Sequence, residues 1–232
     1  LLVTPPRDYY VPIPGVSGGQ KDKLTHAGIY GIDASMRTLG ELYETDINYY
    51  ARLNFTSLID IVDTLGGVDV YSELAFQTGT ESGCIVDVQE GWNHLNGEQA
   101  LAFSRERHAL ADGDNQRGKN QQAVLTAMLR KCLSPTMLLK AGTIMNQVSS
   151  EVETNLSQAQ INSLIKYQLN KNATWTIQSV AATGTNDKGY CYSSGDTPLF
   201  IMDPDEDVVQ EIIDLANVVE EGGTLKDGES LN

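Results

Sequence analysis

Basic residues are scarce in this 232-residue chain: 16 Lys and Arg stand against 31 Asp and Glu, for a net charge of −15. Duplex nucleic acid is thereby disfavoured as a partner, because neutralising phosphates needs a basic face. The deficit is concentrated at the end. Residues 203–232 carry ten acidic side chains and one lysine, −9 of the −15, so the preceding body is only mildly acidic. Cysteine and histidine are equally sparse, at three each. Cys84, Cys132, Cys191, His26, His94 and His108 show no CxxC and no zinc-type spacing. Cys84 and Cys191 sit in polar, Gly-rich surroundings that leave one disulfide open, whereas Cys132 lies on a helical apolar stripe and reads as a small packed hydrophobe. No run approaches the ~20 apolar residues of a membrane span, and no charged-then-apolar leader occurs in these residues. Walker-type and dinucleotide glycine loops are absent, as is a Gly-x-Ser-x-Gly elbow, and no histidine has an obvious Ser and Asp partner in sequence.

What is present is a globular composition, 41% hydrophobic and 20% charged, enough to bury a sizeable core. Leu1 to Thr4 reads as the end of a buried strand, so part of the domain is expected upstream of Leu1. Ile29, Ile32, Met36, Leu39 and Tyr43 recur at helical spacing, and Ile47, Tyr49, Ala51 and Leu53 alternate as a strand. Thr56 is a candidate N-cap for a helix whose stripe is Phe55, Leu58, Ile59, Val62 and Leu65. Gly66-Gly67 supplies the left-handed stop before a strand at 68–70. A strand is expected at 85–88, and Asn96-Gly97-Glu98 opens a capped helical turn. Leu101, Phe103, Arg105 and Arg107 alternate as one strand face. Helices are expected at about 115–133, from Ser134-Pro135, from Ser157 with Gln160 as capping-box partner, and from Asp203-Pro204, with strands near 175–182 and 197–201. Interleaved helices and strands without a linker argue for one α/β domain over residues 1–221 with helices on both sheet faces, followed by a polar tail at 222–232.

Chemistry concentrates in residues 103–122. Arg105 and Arg107 share a face, an acidic glycine turn follows, and helical counting puts Arg117, Gln121, Val124 and Met128 on one inward stripe. Three guanidiniums converging beside a helix N-terminus suit phosphate, which arginine binds bidentately. The same residues also fit a plainer arrangement, with Arg105 and Arg107 on a solvated edge and Arg117 paired to Asp114. Asp114 is either a helix cap or the group that orients the guanidiniums and accepts a proton from an attacking hydroxyl. Arg7, after two prolines, is a weak anion-ligand signal by itself.

Five ordered blocks carry a resemblance: Pro6-Arg7-Asp8-Tyr9-Tyr10-Val11 with Ile13-Pro14-Gly15; Lys23-Leu24-Thr25-His26-Ala27-Gly28; Val62-Asp63-Thr64-Leu65-Gly66-Gly67-Val68; Leu95-Asn96-Gly97-Glu98-Gln99-Ala100-Leu101-Ala102-Phe103-Ser104-Arg105-Glu106-Arg107; and Gly113-Asp114-Asn115-Gln116-Arg117 with Gln121. Their order and spacing resemble the LytR-CpsA-Psr family across most of the chain, in the manner of the extracellular catalytic domain of a streptococcal-type capsule or wall polymer attachment protein. The resemblance implies a three-layer α-β-α fold with a central mixed sheet and a hydrophobic pocket for a lipid tail. It implies a phosphotransferase that moves a glycopolymer, capsular polysaccharide or wall teichoic acid, from a polyprenyl (undecaprenyl) pyrophosphate carrier to peptidoglycan during cell wall biogenesis. The expected setting is the extracellular face of a Gram-positive membrane, reached by an N-terminal anchor, with Mg²⁺ or Mn²⁺ at the pyrophosphate.

By position, the family's pyrophosphate-binding residues fall on Arg7, Arg105, Arg107, Arg117 and Gln121, and its catalytic acidic group on Asp114. The resemblance also implies that Arg105 and Arg107 act on the reacting phosphate. The family's metal-binding aspartates belong to a segment expected upstream of Leu1, so the metal ligands are not assigned here. Asn120 stands where the family commonly has a second arginine. Stripes at Leu58, Ile59 and Val62, or at Val124, Leu125 and Met128, could line a lipid channel, though core packing is the commoner use. Two rival functions stay open from sequence: a phosphohydrolase that uses water as acceptor, and a non-catalytic lipid- or polysaccharide-binding module.

Overall fold

Helices and short strands interleave along the chain. The structure is a computed structural model that describes residues 1–107, 113–140, 142, 144, 152–171 and 173–230. It divides into two compact units, residues 1–48 with 177–228, and residues 49–176 with 229–232.

In the first unit, Leu2–Thr4 runs parallel to Ser179–Ala181, Tyr10–Pro12 antiparallel to Lys21–Lys23, and Gly184–Tyr190 antiparallel to Pro198–Pro204. Tyr9 bridges Met202, and its hydroxyl donates to the Thr183 carbonyl at 2.5 Å. Tyr9, Val11, Tyr43, Ala182, Met202 and Ile212 form the core between these strands and the helices Ile32–Leu42 and Glu206–Glu220. The apolar spacing from Ile29 does not give one helix. A 3-10 turn, Leu24–Tyr30, ends at Gly31, whose φ of 100° breaks the run before Ile32. The last helix starts later than Asp203-Pro204, because Pro204 still pairs with Gly184 and the carboxylate of Asp205 accepts the N–H groups of Asp207 and Val208. Leu225, in the region expected to be a polar tail, is buried.

In the second unit, Phe55–Thr64, Gly97–Arg105 and Gly113–Leu133 pack with the antiparallel pair Val68–Ser72 and Gly91–Leu95. Val62, Val68, Val70, Val88, Leu95, Ala102, Phe103, Val124 and Ala127 fill the centre. Asn54, not Thr56, caps the first of these helices, accepting the Ser57 N–H at 2.9 Å. Gly66 and Gly67 end it with φ of 76° and 84°. Only Ala51–Arg52 of the expected 47–53 strand is paired, with Glu153–Thr154, and only Asp87–Val88 of 85–88. Among the described residues the sheet ladders are all two-stranded.

The largest departure concerns the arginines. Residues 101–105 are helix, not strand: Arg105 is the last residue of Gly97–Arg105, and Arg107 follows it. Asn96 and Gln99 form a reciprocal capping box, and the good helix formers Glu98, Gln99, Ala100, Leu101 and Ala102 follow. Every position from 100 to 104 is buried, so alternation at 101, 103 and 105 marked no face. Gly97 is required by packing, since a Cβ there would collide with the backbone of Ile59, and its N–H donates to Asp63 Oδ1 at 2.7 Å.

Candidate functional site

The predicted site residues fall in both units: Arg7 in the first, and Arg105, Arg107, Asp114, Arg117 and Gln121 in the second. Arg7 is exposed in the turn after Pro5-Pro6. Its carbonyl accepts the Thr25 N–H at 2.9 Å, and the neighbouring Asp8 takes an ion pair from Lys23 at 2.9 Å. The Pro-Pro-Arg-Asp segment is therefore fixed by its main chain, leaving the guanidinium on the surface.

In the second unit two consecutive helices carry Arg105 and Arg117. The end of Gly97–Arg105 packs against Gly113–Leu133 two turns into the latter, and the two are tied by Asn120. This side chain is 3% exposed, and its Nδ2 donates to the carbonyl of Phe103 at 3.0 Å. That carbonyl belongs to the last turn of its helix, where no intrahelical donor exists. Gln116 donates in turn to Asn120 Oδ1 at 3.1 Å. With Asn120 against Phe103, Arg105 lies just beyond the contact on one helix and Arg117 one turn before it on the other. The Arg105 guanidinium sits 4.8 Å from the centre of the Phe55 ring, a cation–π contact that fixes its stem.

Sequence reasoning missed Glu106, which holds the chain between the two arginines. Its carboxylate is 0% exposed. Oε2 accepts the Gly79 N–H at 2.6 Å and the Ser82 hydroxyl at 3.0 Å, and Oε1 accepts the Arg107 N–H at 2.9 Å. The available signal was an acid enclosed by arginines in Arg105-Glu106-Arg107. Arg107 is exposed and Arg117 half-buried. Gln121 is also exposed, so the inward stripe passes through Asn120, Val124 and Ala127 rather than through Gln121. Asp114 lies in the first turn of Gly113–Leu133, at the positive end of that helix, and its side chain is outside the described residues, as are residues 108–112 with His108.

Other expectations are settled by contacts. Cys84 and Cys191 are both free. His26 does have Ser and Asp partners, from far along the chain: Nδ1 lies 2.6 Å from Asp22 Oδ1 and 2.8 Å from Ser193 Oγ. Both meet the same ring nitrogen, so no proton relay through the imidazole results. Magnesium takes oxygen ligands. The one group of three metal-capable side chains among the described residues is Asp22, His26 and Cys191, which includes a sulfur and a nitrogen and does not fit that ion.

Comparison with known proteins decides the lineage. The model of the LytR_cpsA_psr family matches residues 2–201. The chain belongs to the LytR-CpsA-Psr family. Among curated LytR-CpsA-Psr relatives, the polyisoprenyl-teichoic acid–peptidoglycan teichoic acid transferase TagU of Bacillus mycoides (strain KBAB4) is 37% identical over 160 residues, which are 68% of this chain and 50% of that protein. The chain thus spans about half the length of such relatives. Among solved structures, B. subtilis TagV superposes with a TM-score of 0.75 at 25% identity, over 96% of this chain and 84% of that one. TagT bound to LIIa-WTA gives 0.69 at 28%, over 92% and 76%. The fold is therefore that of LytR-CpsA-Psr domains. Among the described residues no helix is long and apolar enough to cross a membrane.

Proposed function

We propose that this chain is the transfer domain of a cell-wall phosphotransferase, which moves a teichoic-acid-type glycopolymer phosphate from a polyprenyl pyrophosphate carrier to peptidoglycan on the outer face of a Gram-positive membrane. The observation that carries this reading is the packing of two arginine-bearing helices, Gly97–Arg105 and Gly113–Leu133, tied through Asn120 and Phe103, in a chain whose relatives are named teichoic acid transferases. Arg105, Arg107 and Arg117 would bind and neutralise pyrophosphate oxygens as charge moves to the leaving polyprenyl phosphate, with Gln121 as a polar neighbour; for Arg7, in the first unit, a role as anion ligand rests on the family likeness alone. A peptidoglycan hydroxyl attacks the sugar-linked phosphorus. Asp114 either accepts its proton or orients the guanidiniums. Glu106 and Asn120 act through others as positioning residues: one fixes the backbone between two arginines, and the other fixes the helix that carries the third. A capsule polymer as donor, a lipid-tail pocket beside the apolar stripes of the second unit and a membrane anchor rest on the family likeness.

A lipid-linked glycan incubated with and without peptidoglycan tests this. Release of polyprenyl phosphate should be stimulated by peptidoglycan and fall at least a hundredfold in an Arg105→Ala, Arg107→Ala double variant. Release that is equal with water alone identifies a hydrolase, and unchanged lipid binding without any release identifies a binding module. A magnesium or manganese requirement is a further proposal, checked by chelation and re-addition of each ion.

A further inference from the structure

We propose that Asp22, His26 and Cys191 form a binding site for one zinc-like divalent cation. The three come from different local structures: Asp22 from the strand Lys21–Lys23, His26 from the 3-10 turn Leu24–Tyr30, and Cys191 from the cap of the turn Tyr192–Ser194. One ligand atom from each lies within 4.8 Å of the other two. Carboxylate, imidazole and thiolate together are the donor set of zinc rather than of magnesium or calcium. Metal–ligand bonds of about 2.0–2.3 Å put tetrahedral ligands about 3.3–3.7 Å apart. The cluster therefore closes on an ion by small side-chain rotations, with the 2.6 Å contact between Asp22 and His26 opening and the longer separations shrinking.

The surroundings favour the site. Asp22 is 0% and Cys191 2% exposed, while the His26 side chain keeps 21% exposure and provides the way in. Asp22 Oδ2 accepts the backbone N–H of Ser193 at 2.8 Å, the kind of outer contact that aims a ligating carboxylate. The exposed Ser193 hydroxyl, 2.8 Å from His26 Nδ1, marks where a water or the hydroxyl itself completes four ligands. The nearby ammonium of Lys23 is occupied by Asp8 at 2.9 Å, which limits its repulsion of a cation. On binding, the Cys191 thiol loses its proton to solvent and the sulfur–metal bond replaces the S–H bond. Asp22 and the thiolate then balance the 2+ charge, so the filled site is neutral where burial penalises net charge.

The test uses the metal alone. The purified protein is stripped with chelator, dialysed, titrated with Zn²⁺ by calorimetry, and loaded with Co²⁺ for absorption spectroscopy. One equivalent of Zn²⁺ is expected, undisplaced by excess Mg²⁺, with a thiolate-to-cobalt charge-transfer band in the near ultraviolet. Cys191→Ser should weaken binding at least a hundredfold and abolish the band. His26→Gln should weaken binding at least tenfold while the fold, checked by circular dichroism, is kept, and Cys84→Ser with Cys132→Ser should change neither. Absence of stoichiometric Zn²⁺, or a band and affinity that survive in Cys191→Ser and His26→Gln, overturns the proposal and leaves the cluster as a hydrogen-bonded clasp.

Discussion

Among the described residues each unit withdraws one carboxylate completely from solvent, and the two are held differently. Glu106 is met by main-chain N–H groups of Gly79 and Arg107 and by the Ser82 hydroxyl. Asp22 is met by His26 and by the N–H groups of Lys23 and Ser193, with the Cys191 thiol alongside. Burial pushes the Asp22 carboxyl up, but these hydrogen bonds outweigh it and hold the group below its usual value. Burial and the Asp22 charge push the Cys191 thiol up. Main-chain donors cannot be exchanged for an ion without breaking the fold, whereas imidazole, thiol and carboxylate can turn toward one. The second unit therefore uses its buried acid to lock an arginine-bearing segment, and the first keeps chemically convertible partners around its own.

The strongest way to break this contrast is Glu106→Gln, which leaves a donor amide facing donors in a buried site. A loss of about 3 kcal/mol is expected in urea denaturation, together with reduced polyprenyl phosphate release. A loss below about 1 kcal/mol would show that the lock is not made by the charge. Next comes Gly97→Ala, which forces Phe55–Thr64 and Gly97–Arg105 apart and should cost about 2–3 kcal/mol by the same assay. Asn120→Ala removes the bridge to the Phe103 carbonyl. About 1–2 kcal/mol should be lost, and turnover should fall while donor KM rises, since the helices that carry Arg105 and Arg117 lose their tie.

The smallest effect has the opposite sign and belongs to the first unit. Among the described residues the buried Tyr43 hydroxyl has no hydrogen-bond partner, so Tyr43→Phe should gain about 1 kcal/mol of stability. Burial pushes the Tyr43 phenol well above its ordinary range, and the neighbouring Tyr9 adds to this; Tyr9 itself is raised by burial and by Asp205. A phenol that keeps its proton longer in the fold leaves stability level below about pH 10 and lowers it as pH rises further. Thermal melts across pH 9–11 should show that decline, and it should be shallower with Phe at 43.

Signals written within a few residues were legible from sequence. The Asn96 cap, the Ser157–Gln160 pair, the Gly66-Gly67 stop and the inward Val124 all depend on neighbours along the chain. The arginine strand was misread because alternation at 101, 103 and 105 has meaning only if 102 and 104 face solvent, and both are buried. Glu106 and Asn120 were passed over because their partners, Gly79, Ser82 and Phe103, are recognisable only after helices have packed. The cluster at Asp22 was invisible for the same reason, with Cys191 and Ser193 lying more than a hundred residues downstream.

The pairing of Leu2–Thr4 with Ser179–Ala181 also sets a timetable. Residues 49–176 form the bulk of the second unit as one uninterrupted segment, whereas the first unit needs both its early and its late residues. Closing a loop of that length costs about 2 kcal/mol more chain entropy than closing a ten-residue turn, and it must be met before Tyr9 can reach Thr183. As the chain leaves a ribosome or a translocation pore, the arginine-bearing segment can mature first. Leu2–Thr4 waits for its partner strand Ser179–Ala181, and in that interval its apolar residues are open to chaperones and to aggregation.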